Sequence, residues 1–224
     1  MKVTLLNHSP EPEKTIAAAA RLCYTSKEID ELLEGLTEEK VEKFIDKLTS
    51  LGHESPLEHV TFTFGIEGIS RACSHQLVRH RMASYSQKSQ RYIDESGFSY
   101  VIPKTIIDND VKDTYEWLMF QIEEIYKDLK AAGVPKEDAR MVLPNACTTS
   151  IIVTMNVRSL LNFFKHRVCN RAQWEIQELA IEMLKICKEI SPKLFAKAGA
   201  SCMYGSCSEG LMSCGKPIKD LFDK

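Results

Sequence analysis

Residues 60–66 read Val-Thr-Phe-Thr-Phe-Gly-Ile, and this stretch decides the fold class. Its large apolar side chains occupy every second position, with threonine or glycine between them. Because successive side chains of a strand point to opposite faces of a sheet, this alternation predicts a half-buried strand with one apolar face. That face has to be covered by other elements of the chain.

The segments on either side supply two more short strands and several helices. Strands are predicted over residues 2–6 and 148–155. Helices are predicted over residues 13–23, 38–51, 70–79, 110–132, 135–143, 156–167 and 172–198. Ser70 and Asn156 are the predicted N-caps of two of these helices, and Gly133 ends the helix over 110–132. The last helix is predicted to break near Ser191–Pro192. The polar stretch 82–91 predicts a loop. The pattern is that of an α+β fold, a small antiparallel sheet packed with several long helices.

Composition indicates one globular domain. The chain has 224 residues, 44% of them hydrophobic, and a formal net charge of −2. Its N-terminus lacks the apolar run of a secretory signal, and no window reaches the length of about 18 apolar residues that a membrane span needs. We therefore expect a cytoplasmic protein without membrane partners. The eight cysteines include no CxxC pair. Five of them lie singly in apolar or helical stretches and are expected to be reduced, buried thiols: Cys23, Cys73, Cys147, Cys169 and Cys187.

Two long segments contain no carboxylate. Residues 68–93 and 139–174 lack Asp and Glu and carry 10 of the 29 basic residues, which leaves 19 basic against 31 acidic residues elsewhere. Local positive charge in an acidic protein favours a small phosphorylated anion and disfavours nucleic acid. The alternative is that these arginines are solvated or pair with carboxylates distant in sequence.

The first of these segments contains a dense run of polar side chains. If the helix over 70–79 continues one residue further, then Gln76, Arg79 and His80 share one face. The chain then enters a loop rich in hydroxyls and amides, which can supply donors to a phosphate, a sugar and a base edge.

Four ordered motifs resemble the flavin-dependent thymidylate synthases. RHRMASYSQKSQRY (79–92) resembles that family's Arg-His-Arg, seven residues, then Ser signature. HESPLEH (53–59), ARMVLP (139–144), and NVRSLLNFFKHR (156–167) followed by AQWEIQ (172–177) resemble three further family segments. The resemblance spans about residues 15 to 198 and favours a single catalytic domain over 1–200, followed by a cysteine-rich tail over 201–224.

The resemblance implies a role for each matching residue. Contacts to FAD would come from Ser55, Arg79, His80, Arg81, Gln87, Asn156, Arg158 and Asn162. Contacts to dUMP would come from Gln76, Arg79, Gln87, Lys88, Ser89, Gln90, Arg91, Arg140 and Arg167. Arg167, His53 and Ser89 would be catalytic, with Arg167 activating the uracil. A cation beside the N3/O4 edge stabilises negative charge there and makes C5 more nucleophilic.

The reaction that the resemblance implies is the reductive methylation of dUMP to dTMP. Methylenetetrahydrofolate would donate the carbon, and FAD reduced by NADPH would carry the hydride. The family also implies a homotetramer whose active sites are shared between subunits. Gln87 stands where many relatives have Glu, Ser55 where Thr is frequent, and no segment matches the nucleophilic cysteine of classical thymidylate synthases.

Other interpretations stay open at this point. His53, Glu58 and His59 are metal-ligand types, but their spacing matches no familiar site, and we expect no metal. Cys202, Cys207 and Cys214 could bind a metal, although a packed loop or a mobile tail is favoured. Rival functions are a non-catalytic nucleotide-binding module and a metal-dependent protein.

Overall fold

The computed structural model describes residues 1–218, except for the side chains of 49–51. Residues 219–224, the last part of the predicted tail, lie outside the described residues, and the division into a domain over 1–200 and a tail stays a prediction. The α+β class is confirmed: four strands form one antiparallel sheet in the order β1-β2-β4-β3. The strands are β1 Lys2–His8, β2 Thr61–Ser70, β3 Ala83–Gln87 and β4 Thr148–Asn156.

The third strand is a correction to the sequence analysis. Residues 82–91 were predicted to be a loop, yet β3 occupies Ala83–Gln87. Its sequence, Ala-Ser-Tyr-Ser-Gln, carries no apolar alternation, because it lies at the edge of the sheet and buries none of its side chains fully. Backbone pairing rather than apolar burial therefore defines this strand.

The helices follow the predicted spacing, with differences at their ends. They are α1 Pro12–Leu22, α2 Ile29–Glu34, α3 Glu38–Leu51, α4 Arg71–Leu77, α5 Lys104–Asp108, α6 Lys112–Ala131, α7 Lys136–Ala139, α8 Val157–Arg167 and α9 Trp174–Ile190. The short helices α2 and α5 were not predicted. The predicted continuation beyond the break at Ser191 is wrong, since residues 192–197 form turns.

Both predicted N-caps are confirmed. The Ser70 hydroxyl accepts a hydrogen bond from the Cys73 amide at 3.0 Å, and the Asn156 carbonyl oxygen accepts one from the Ser159 amide at 2.9 Å. These caps fix the start of α4, which carries Gln76, and the start of α8, which carries Arg158, Asn162 and Arg167.

The chain divides into two compact units. The first contains residues 1–2, 66–79 and 85–152. A cluster of Phe98, Met119 and Cys147 forms part of its core, and Tyr126 of α6 is fully buried. The unit therefore has its own apolar interior, although the outer face of α6 leaves several large apolar side chains exposed.

The second unit contains residues 3–65 and 80–84 and the described residues from 153 onward. Phe62 of β2 stacks edge-on against Phe195 with ring centroids 5.6 Å apart, and both are fully buried. Helices α1, α2 and α3 bury a second cluster around Leu32 and Ile45. Within residues 1–218, we find no helix with the length and apolarity that crossing a bilayer requires.

Candidate functional site

Two residues predicted for the site contact each other directly in the second unit. Arg167, the last residue of α8, donates from Nε to Nε2 of His80 at 3.0 Å. The two residues come from the two carboxylate-free segments, 87 positions apart. The contact fixes the direction of the guanidinium that the sequence analysis singled out for uracil activation.

The environment of His80 keeps its ring neutral. Burial, followed by the positive charges of Arg167 and His166, lowers the pKa of His80 from 6.5 to about 4. The ring also packs edge-on against Phe163, with centroids 4.9 Å apart. A neutral, sterically held imidazole can accept the Arg167 hydrogen bond at physiological pH, which a protonated one cannot.

The HESPLEH segment supplies carboxylates to Arg158. Arg158 at the start of α8 donates to Glu54 at 3.0 Å and to Glu58 at 2.5 Å, and both contacts raise its pKa. Glu58 is therefore engaged with an arginine. Among residues 1–218 no three His, Cys, Asp or Glu side chains are arranged to hold a metal ion.

His53 lines an open cleft in the second unit. The cleft encloses about 780 Å³, and its walls include Leu57, Leu161, Lys165 and Tyr204. This volume and its mixture of apolar, aromatic and cationic side chains suit an organic anion of moderate size.

Other predicted flavin contacts lie exposed on the same unit. Ser55, Arg81 and Asn162 are exposed, and Asn162 lies one turn beyond Arg158 on α8. Within the described part of the chain, Arg81 forms no ion pair. Asn156 uses its carbonyl oxygen to cap α8, which leaves its amide group as the donor for any ligand.

In the first unit, Gln87 bridges two buried hydroxyls. Its amide nitrogen donates to Ser74 at 2.9 Å and to Thr149 at 3.3 Å. Gln87 and Thr149 again join the two carboxylate-free segments. A glutamate at this position could only accept, so both hydroxyls would have to turn and donate to it.

Glu137 contacts two arginines that are predicted to bind dUMP. Its carboxylate accepts from Nε of Arg91 at 2.9 Å and from a terminal nitrogen at 2.8 Å, while its backbone carbonyl accepts from Nε of Arg140 at 3.0 Å. Both guanidinium groups therefore contact the same residue, and two arginines in one neighbourhood suit a phosphate.

The remaining predicted dUMP residues lie near this pair in sequence. The Ser89 hydroxyl accepts from the Arg91 amide at 3.2 Å, and buried Gln90 donates to the sulfur of Cys147 at 3.6 Å. Lys88 pairs with buried Glu95 at 3.7 Å. Arg79 is exposed.

The predicted shared helical face is wrong. Helix α4 ends at Leu77, so Arg79 and His80 lie beyond it and cannot continue the face of Gln76. His80 instead belongs to the second unit, while Gln76 and Arg79 belong to the first. Val78 closes the helix and the chain turns over residues 78–79, because no apolar residue continues the buried stripe.

Burial makes the thiol of Cys147, in the first unit, a poor nucleophile. Cys147 is fully buried, and this burial, with the nearby carboxylate of Glu95, raises its pKa to about 11. Among the five cysteines predicted to be buried, Cys73, Cys147 and Cys187 are buried, whereas the prediction is wrong for Cys23, which is exposed, and for Cys169, which is only partly buried.

Sequence reasoning missed several residues that shape the site. Glu137, Ser74, Thr149 and Phe163 hold predicted residues in place, and nothing in their local sequence marks them. Arg91 and Arg158 also pair with carboxylates from outside the acid-free segments, the alternative that the sequence left open.

Comparison with known proteins identifies the family. Residues 4–193 match the family model described as "Thymidylate synthase complementing protein". A protein of Geobacter sulfurreducens named "Flavin-dependent thymidylate synthase" is 54% identical, over 99% of this chain and 98% of its own. Proteins of the same name from Clostridium tetani and Nitratidesulfovibrio vulgaris are 50% and 46% identical, each over 96% of this chain and 94% of its own. The chain therefore belongs to the family of flavin-dependent thymidylate synthases.

Proposed function

We propose that this protein catalyses the reductive methylation of dUMP to dTMP, with methylenetetrahydrofolate as carbon donor and FAD, reduced by NADPH, as the source of hydride. The observation that carries the proposal is 54% identity to a relative of that name over nearly the whole of both chains. No insertion or missing segment of domain size separates the two proteins.

The donor chemistry of the chain fits a flavin dinucleotide. An exposed hydroxyl at Ser55, an exposed amide at Asn162 and exposed guanidinium groups at Arg79 and Arg81 can bind the pyrophosphate, ribose and ring edge. We propose that these four, with His80, Gln87, Asn156 and Arg158, hold FAD. When bound, the reduced flavin supplies the hydride for the reaction.

We propose that the other predicted residues bind dUMP. Arg91 and Arg140, held together by Glu137, would bind the phosphate, and Gln76, Arg79 and residues 87–90 would contribute further contacts. Ser89 would be catalytic by orienting the nucleotide with its hydroxyl. Its oxygen accepts a hydrogen bond from the Arg91 amide, and its hydroxyl hydrogen can be donated to the nucleotide.

Arg167 would carry the electrostatic part of catalysis. Its side chain is only partly exposed, and neutral His80 holds its Nε in place. The remaining guanidinium donors can then stabilise negative charge on the uracil edge, which increases the nucleophilicity of C5. His53, at the wall of the 780 Å³ cleft, would be catalytic and lie near the flavin.

We further propose a homotetramer in the cytoplasm, with active sites shared between subunits. The outer face of α6 exposes Trp117, Phe120 and Ile125 by 61%, 56% and 49%, which favours burial of this face against another subunit. All eight cysteines, which lie within residues 1–218, are free thiols, as expected in a reducing compartment. Light scattering of the purified protein tests the tetramer.

The reaction is tested by purifying the protein and following dTMP formation. We expect a flavin absorption spectrum, bleaching of that spectrum by NADPH under anaerobic conditions, and dTMP only when dUMP and methylenetetrahydrofolate are both present. A protein that binds dUMP but forms no dTMP in the complete mixture would instead be a nucleotide-binding module. Repeating the bleaching with NADH measures the nicotinamide preference.

A further inference from the structure

Four of the eight cysteines line one small cavity of the second unit. The cavity has a volume of about 270 Å³, and its walls include Cys169, Cys202, Cys207 and Cys214. Cys169 lies between α8 and α9, and the other three come from the tail, more than 30 positions later. Sequence spacing among the tail cysteines alone did not reveal the fourth thiol.

The tail around these cysteines lacks an apolar core. None of residues 201–217 is buried, and Leu211 is fully exposed. Of the three tail cysteines, Cys202 and Cys207 are partly buried, and Cys214 is exposed. Among the described residues of the tail, Ile218 is the one buried apolar side chain. A segment that buries so little apolar surface commonly relies on a disulfide or a metal for its order, and the tail cysteines are free thiols.

The two residues that follow Cys169 form hydrogen bonds with the backbone of the tail. Asn170 donates from its amide to the carbonyl of Lys216 at 2.8 Å, and Arg171 donates to the carbonyl of Met212 at 2.8 Å. These bonds attach the tail beside Cys169 on both sides of Cys214. The fold therefore brings these four cysteines, from two distant parts of the sequence, to the wall of one cavity.

The thiol of Cys214 contacts the backbone of Lys216, to whose carbonyl it donates at 3.5 Å. The Lys216 amide donates to the sulfur of Cys214 at 3.4 Å, across Gly215, whose φ of +68° favours glycine. Arg171 and Lys216 also line the cavity, against one carboxylate, Glu209. A divalent ion with four thiolates carries a net charge of −2, half of which is offset by the net charge of +1 on these three side chains.

We propose that Cys169, Cys202, Cys207 and Cys214 form a structural site for a thiophilic metal ion of the Zn²⁺ type, which ties the tail to the turn between α8 and α9. The four thiols release their protons as the ion binds, and four sulfur ligands satisfy the tetrahedral preference of Zn²⁺. Within residues 1–218, no three His, Cys, Asp or Glu side chains are already arranged as metal ligands. Metal binding therefore requires the four thiols to rotate into the cavity that they share. This inference replaces the sequence-based expectation of no metal.

Metal analysis of the full-length protein tests the site directly. We expect about one Zn²⁺ per chain after purification in the presence of zinc, and its loss from Cys202→Ser and Cys207→Ser. Cys23→Ser is the matched control, because this exposed cysteine lies outside the cavity and should leave the zinc content unchanged. A wild-type protein that holds no zinc, or equal zinc in all four proteins, overturns the proposal.

Cobalt substitution and protease sensitivity give readouts that do not depend on turnover. Co²⁺ bound by four thiolates should give intense d–d bands at wavelengths beyond those of oxidised flavin, and Cys207→Ser should lose them. Removing the metal should also speed proteolytic cleavage within residues 201–217. Octahedral cobalt spectra, or iron with labile sulfide in place of zinc, contradict the assignment. Because dTMP formation is assayed separately, a failure here leaves the proposed reaction untouched.

Discussion

The contact between His80 and Arg167 allows a quantitative test of the proposed catalytic role. We consider His80→Phe, which keeps an aromatic ring beside Phe163 but removes the nitrogen that accepts from Arg167. A hydrogen bond to a charged group contributes about 1.5–3 kcal/mol, and a partly exposed guanidinium such as Arg167 belongs at the lower end. If about 1.4 kcal/mol is lost in the transition state, kcat falls about tenfold.

The assay has to separate catalysis from cofactor binding, because His80 is also a proposed FAD contact. Turnover is therefore measured with saturating FAD and dUMP, and flavin occupancy is read from the absorption spectrum. His75→Phe is the matched control, since His75 is exposed on α4 and is no predicted site residue. We expect the control to retain kcat within about twofold.

A double-mutant cycle then asks whether His80 acts through Arg167. Removing one preorganised donor costs roughly 100- to 1000-fold in kcat, which is the loss expected for Arg167→Ala. If His80 only positions this guanidinium, His80→Phe should cost little more in the Arg167→Ala background. A His80→Phe enzyme with full flavin occupancy and unchanged kcat, or fully additive losses in the double variant, would refute the reasoning.

Three further predictions concern stability, substrate binding and pH. Ser70→Ala should lower the free energy of unfolding in urea by about 1 kcal/mol, because it removes the cap hydrogen bond to Cys73. Thr37→Ala is the control and should lower it less, since Thr37 makes no side-chain hydrogen bond at the N-cap of α3. Equal losses in the two variants would contradict the cap assignment. Glu137→Gln should raise the KM for dUMP about threefold with little change in kcat, because the weaker contact leaves Arg91 less ordered. Glu124→Gln on α6 is the control and should leave the KM unchanged. An unchanged KM in Glu137→Gln would show that Arg91 does not bind the phosphate. The pKa of His80 is lowered from 6.5 to about 4, so the unfolded chain takes up a proton between these values and the folded chain does not. The free energy of unfolding of the wild type, relative to that of His80→Phe, should therefore be highest above about pH 6.5 and decrease as the pH falls toward 4. A difference between the two proteins that does not vary with pH would contradict a neutral His80.

Strong local patterns predicted most of the fold. The apolar alternation of 60–66 and the caps at Ser70 and Asn156 led to elements that the structure contains. The edge strand at 83–87 was missed because its side chains carry no apolar alternation, and its order comes from pairing with residues distant in sequence.

The site residues were proposed by resemblance, but their contacts could not be predicted. The pairing of Arg167 with His80 joins positions 87 apart, and the tether at Glu137 joins two arginines that lie in different motifs. Such contacts depend on tertiary packing, for which a single sequence holds no local signal. The charge pattern likewise indicated anion binding but not that Arg158 would meet Glu54.

The proposed mechanism depends on activation of the uracil ring of dUMP by Arg167. Its most direct test is the release of tritium from C5-labelled dUMP by the wild type and by Arg167→Ala, with FAD, NADPH and methylenetetrahydrofolate saturating and with dUMP binding measured separately. We expect the wild type to release tritium in step with dTMP formation. Arg167→Ala should slow release at least about 100-fold when dUMP is bound. Release at the wild-type rate by Arg167→Ala, with dUMP bound, would contradict the claim.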